Sequence, residues 1–136
     1  MDLTNLPEDV LKEHLQLSER LKEIERVDRC QTNFLDFVKS QWPQFIGGAH
    51  HKKMAEAFDR IAQGKVKRLI INMPPRHTKS EFASHFFPAY LVGRNPQLKI
   101  LQATHTADLA VKFGRKIRDL IDTDDYKKIF PDVTLN

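Results

Sequence analysis

The segment that most limits what this chain can become is Arg68-Leu69-Ile70-Ile71-Asn72-Met73-Pro74-Pro75-Arg76-His77-Thr78-Lys79-Ser80-Glu81. An apolar run stops at two prolines, and a Lys-Ser pair then opens a helix. Proline continues neither a ladder nor a helix interior, so the chain must turn here. A helix start exposes unpaired N–H groups, and its dipole favours negative charge. A preceding loop curled into a nest aims those groups at phosphate oxygens. Lys79 and Ser80 fill the last two places of the pattern G-x-x-x-x-G-K-[ST], in which the lysine meets the terminal phosphates and the hydroxyl meets Mg²⁺.

Two departures stand out. Met73 occupies the place of the first glycine and Thr78 that of the second. A β-branched residue resists positive φ, so Thr78 opposes the usual loop geometry. Pro74 and Pro75 remove N–H groups only early in the loop, and they stiffen it. The amides of His77, Thr78, Lys79 and Ser80 survive as donors. The plainer alternative is a basic turn before a capped helix, with Arg76, His77 and Lys79 clustered but unoccupied.

The flanks frame this loop. Asn5, Pro7 and Glu8 predict a helix start, with Val10, Leu17, Leu21 and Ile24 as its buried stripe. Phe34, Leu35, Phe37, Val38, Trp42 and Phe45 form an aromatic-rich stretch that ends at the Gly47-Gly48 loop. Met54, Ala57, Phe58 and Ile61 predict a helix from about His50 to Gln63, stopped by Gly64. Val66–Met73 reads as a strand buried on both faces, because its apolar residues are contiguous. A helix follows from Glu81 to Val92, bent near Ser84 by Pro88. Leu98–Ala103 reads as a second strand, and Thr106–Ile121 as a helix with Leu109, Phe113, Ile117 and Leu120 inward. That order predicts an α/β fold with a parallel sheet and flanking helices, joined by right-handed crossovers.

At 136 residues the chain is long enough for one domain with a core. Hydrophobic residues at 40% and charged residues at 29% exclude a disordered chain. A net charge of +4 suits a nucleic-acid partner. Cys30 is the sole cysteine, so no internal disulfide can form, and a reducing compartment is the simpler expectation. No apolar run predicts a membrane span, and no secretion signal is visible at Met1–Asn5. His50 and His51 have no carboxylate or cysteine at ligand spacing, which argues against a metal site there.

From Phe34-Leu35-Asp36-Phe37-Val38, Trp42-Pro43 and His50-His51-Lys52, through Leu69–Glu81, to Gly93-Arg94-Asn95-Pro96, Ala103-Thr104-His105-Thr106 and Phe113-Gly114-Arg115, the chain resembles the large terminase subunit of tailed bacteriophages. The likeness covers roughly residues 32–121. In that family the loop often reads P-P-R-x-G-K-S, and Thr78 is similar to variants within it. The resemblance implies the front of a P-loop ATPase that drives genome packaging. It divides the chain into a helical lead (1–31), a helical segment resembling an adenine-contacting region (32–64) and the start of the α/β core (65–136).

By resemblance, ATP phosphates meet Pro74, Pro75, Arg76, His77, Thr78, Lys79 and Ser80, and Ser80 helps hold Mg²⁺. Arg76 and Lys79 are the implied catalytic residues, and Trp42 or Phe45 the implied adenine contact. Implied partners are double-stranded phage DNA, a portal protein, a small terminase subunit and further copies in a ring. The implied setting is the host cytoplasm, transiently the procapsid portal, away from membranes. Lys112, Arg115, Lys116 and Arg118 make one helix basic enough to face DNA. An acidic residue closing a second buried strand is missing, as are nuclease carboxylates; Asp122, Asp124 and Asp125 follow a helix. The chain is therefore expected to be a truncated front piece, with open strand edges, that binds nucleotide without turning it over. Rival readings are a helicase-like ATPase and a non-enzymatic basic nucleic-acid-binding module.

Overall fold

In a computed structural model of the chain, which describes residues 7–135, the regular structure is helical throughout. Helix α1 spans Glu8–Thr32. It starts behind Pro7, whose missing N–H is no loss at that position, and Glu8 and Asp9 complement the dipole. The expected cap, Asn5, lies outside the described residues. The stripe expected to be buried is not: Val10, Leu17, Leu21 and Ile24 are all exposed, Ile24 to 64%. Only the end of α1 enters the core, through Cys30 and a 2.6 Å bond from the Gln31 side chain to the Ile129 carbonyl.

Helix α2 (Phe34–Gln41) follows at once, its first turn capped by Asn33, whose side chain accepts from the Asp36 N–H at 3.0 Å. Helix α3 (Ala49–Ala62) stops where Gly64 adopts φ +75°, as its sequence position predicts. The core is aromatic. Phe34 meets Phe58, Phe82, Phe87 and Tyr90 at ring distances of 5.2–5.5 Å, mostly edge to face. Asp59 supports this arrangement from α3. One of its carboxylate oxygens accepts from the Phe34 N–H at 2.9 Å and from the Tyr90 hydroxyl at 3.4 Å. Burial raises the Asp59 carboxyl despite these bonds, and burial with the Asp59 charge pushes Tyr90 up to about 12.

After the phosphate-loop segment comes α4 (Lys79–Glu81), a π-helical turn (Phe82–Phe86) and α5 (Phe87–Arg94), one continuous helical path. Pro88 explains the irregularity. It cannot donate to the Ser84 carbonyl four residues back. Gln102 supplies the missing donor, its side-chain amide reaching that carbonyl at 3.2 Å. Helix α6 (Ala107–Ile121) is capped by Thr106, whose hydroxyl accepts from the Leu109 N–H. Of its expected inward residues, Phe113 and Leu120 are buried, Ile117 half-buried and Leu109 exposed. Helix α7 (Asp124–Ile129) closes the core, with Tyr126 donating its hydroxyl to the Ala89 carbonyl at 2.7 Å.

The expected α/β parallel sheet is overturned. Residues 66–73 and 98–103 are neither helix nor strand, and among the described residues no ladder hydrogen bond joins them. Ile70 is 86% exposed and Leu101 97% exposed, where strands of a covered parallel sheet would hide both. A strand exists only through hydrogen bonds to a neighbour, and apolar β-branched content alone does not create one. Leu69 is also exposed; Ile71 and Met73 pack against the helical core instead.

Gly93 marks the tightest approach in this core. A Cβ there would lie 2.4 Å from the buried Phe130 ring. Gly93→Ala is predicted to destabilise the chain by about 1–3 kcal/mol, the usual cost of overpacking. A lowered urea midpoint at unchanged slope is the expected readout.

Candidate phosphate-binding loop

The Pro74–Ser80 loop is strongly curled. Arg76 has φ +65° and Thr78 φ +58°, the two non-glycine residues in the left-handed region among those described. Such values cost about 1–3 kcal/mol each unless the surroundings hold them. Residues of alternating hand turn successive amides toward one side, which is the geometry of an anion nest. Among the described residues, no protein acceptor takes the N–H groups of Arg76, His77, Thr78, Lys79, Ser80 or Glu81. These six consecutive donors border a cavity of about 580 Å³ whose wall is residues 73–81. The sequence-predicted phosphate residues are thus all brought together, with Ser80 exposed and Lys79 half-buried.

Side chains brace the curl. The His77 ring sits 2.9 Å from the Pro75 carbonyl, so its Nδ1–H donates there. The Thr78 hydroxyl donates to the His77 carbonyl at 2.7 Å and also meets His51 Nε2 at 2.5 Å. His51 is the buried polar residue of the core, 6% exposed, with Nδ1 accepting from the Gly48 N–H at 2.9 Å. Burial lowers its pKa from the ordinary value, and the neighbouring His50 and His77 lower it further. Sequence reasoning missed this role: a His-His pair without ligand spacing argued only against metal, and nothing local links position 51 to position 78.

Trp42 and Phe45 do not line the phosphate-loop cavity. Trp42 stacks on Phe86 at 5.9 Å and walls a second cavity of about 460 Å³ with Gln41, His85, Lys116 and Leu120. Glu81 borders both cavities. Phe45 packs edge-on against His51 at 4.8 Å and against Phe82 at 5.4 Å. No group of three or more His, Cys, Asp or Glu that could hold a metal ion occurs among the described residues.

Glu81 links the loop to α6. Its carboxylate accepts from Lys116 Nζ at 2.5 Å and from His85 Nδ1 at 3.0 Å. Of the basic residues on α6, Lys116 is therefore engaged, Arg118 pairs with Asp119 at 2.7 Å, and Lys112 and Arg115 face solvent. Among the described residues no helix is long and apolar enough to cross a membrane. No family model, no curated protein and no solved structure matches the chain.

Partial burial raises the Glu81 carboxyl, but its bonds to Lys116 and His85 outweigh this and hold it below the ordinary carboxylate value of 4.5. A depressed folded-state pKa contributes stability above about pH 4.5 that is lost as pH falls through the folded value. The group is a third exposed, so the contribution is under about 1 kcal/mol. Thermal melts between pH 3 and 7 are expected to show this acid loss in the wild type and a smaller one in Glu81→Gln.

Proposed function

We propose that the Pro74–Ser80 loop receives the triphosphate of ATP, and that the chain is the nucleotide-binding part of a phage DNA-packaging motor. The observation that carries the first part is the row of six unpaired amides along a doubly left-handed loop, with Lys79 and the Ser80 hydroxyl at its end. The N–H groups of Lys79, Ser80 and Glu81 are those that a helix start leaves open, the curl of Arg76–Thr78 sets three more beside them, and an anion can satisfy several at once. In this reading Lys79 neutralises the terminal phosphates, Ser80 offers its hydroxyl to Mg²⁺, and Arg76 meets the γ-phosphate. Trp42, one wall away across Glu81, is the candidate base contact, with Phe45 packed on Trp42 and on the His51 ring that meets Thr78.

The motor assignment draws on the resemblance across residues 32–121 and on the basic face of α6. Lys112 and Arg115 are free to meet DNA phosphates, and Glu81 joins α6 to the loop through Lys116. Nucleotide occupancy would thereby bias a DNA-facing helix. The corresponding setting is a ring of copies with a portal and a small subunit, in the host cytoplasm and transiently at the procapsid. The same basic face favours one second reading, a nucleic-acid-binding module that uses no nucleotide.

ATP titration of the wild type and Lys79→Ala separates these readings. Loss of at least about tenfold in ATP affinity (about 1.4 kcal/mol) with DNA affinity unchanged supports the motor reading. Absence of ATP binding in both proteins supports the binding module. Among the described residues Glu81 is the one carboxylate on the cavity wall, and it is committed to Lys116 and His85. Binding without turnover is therefore expected of the 136-residue polypeptide, and sustained phosphate release would overturn that expectation.

A further inference from the structure

Thr78 is the least suitable residue for its own backbone. It is β-branched, yet it holds φ +58° and ψ +11° at the end of the loop. Something must compensate, and the hydrogen bonds around it form a closed account. The Gly48 N–H donates to His51 Nδ1, so that nitrogen carries no proton. His51 Nε2 therefore carries it and donates to the Thr78 hydroxyl oxygen. The hydroxyl hydrogen is left to donate to the His77 carbonyl, closing the turn on itself. Every donor in this relay has one acceptor.

The ring that begins the relay cannot wander. It is packed edge-on against Phe45, lies 5.2 Å from Phe82 and is covered by His50 at 3.8 Å. The depressed pKa of His51 agrees with the neutral form that the relay needs. His50 and His77 are the titratable groups that act on the ring, and Phe45 and Phe82 pack against it.

We propose that His51 is a positioning residue for the phosphate loop: it clamps Thr78 in the left-handed region through the side-chain hydroxyl, and so supplies by a hydrogen bond the shape that a glycine would supply by freedom. This rests on the reading of Pro74–Ser80 as a phosphate site. The loop's binding shape then depends on a residue 27 positions upstream, in a different helix. Position 78 tolerates a β-branched residue only because position 51 is histidine.

The test is a double-mutant cycle read by ATP titration of the full chain, with urea melts run on each variant. His51→Asn keeps an oxygen for the Gly48 N–H but does not reach Thr78. It is expected to weaken ATP binding about tenfold, and Thr78→Val, which keeps the branch and loses the hydroxyl, by a similar factor. His51→Gln, whose amide reaches further, is expected to recover part of the loss. The deciding comparison is His51→Asn in a Thr78→Gly background, where glycine needs no clamp. There its effect is expected to shrink to less than about twofold.

An equal loss in both backgrounds would overturn the proposal, because His51 would then be acting through the core alone. A second measurement needs no ligand: NMR couplings at residue 78 are expected to report positive φ in the wild type and its loss in His51→Asn. Retention of positive φ in His51→Asn would also overturn the proposal. A wild type that binds no ATP, with residue 78 still left-handed, would sink the phosphate reading and this inference with it. ATP bound equally by the wild type and His51→Asn would sink the inference alone.

Discussion

With its ring fully buried among Phe58, Phe82, Phe87 and Tyr90, Phe34 ties α2 to α3 and to the helical path that leaves the loop. The geometry of the site descends from that cluster. Phe82 is held by Phe34 on one side and touches Phe45 and the His51 ring on another. His51 in turn reaches Thr78. A packed core transmits position because it has few low-energy alternatives. The curled loop, exposed as it is, thus inherits its placement from a fully buried ring.

Helices were legible where a periodic face and a terminator coincide. The α3 stripe and Gly64 mark one such element, and Thr106 with Phe113 and Leu120 mark another. Pro88 was legible as a distortion, although its form, a π turn whose spare carbonyl is served by Gln102, depends on a contact 18 residues away. Periodicity in α1 shows that Val10, Leu17, Leu21 and Ile24 share a face. It does not show whether anything covers that face, and among the described residues nothing does.

The expected sheet fails for a related reason. Leu69, Ile70 and Ile71 have the composition of a strand, but composition describes one side of a pairing that needs two. The turn itself was legible, because Pro74 and Pro75 act on their own backbone and Lys79 and Ser80 open the helix after it. Thr78 shows both sides of this. Its side chain correctly signalled trouble with positive φ, and the relief comes from His51, which no local pattern names.

Asp59 and Glu81 respond to acid with opposite sign. Desolvation raises the Asp59 carboxyl above its ordinary value, so protonation relieves a burden in the folded chain, an advantage that fades as pH rises through the shifted value. Lys116 and His85 depress Glu81, so protonation there removes a tie. Acidification therefore loosens the brace between the loop's helix and α6, whereas beneath Phe34 and Tyr90 it relieves a buried charge of its desolvation.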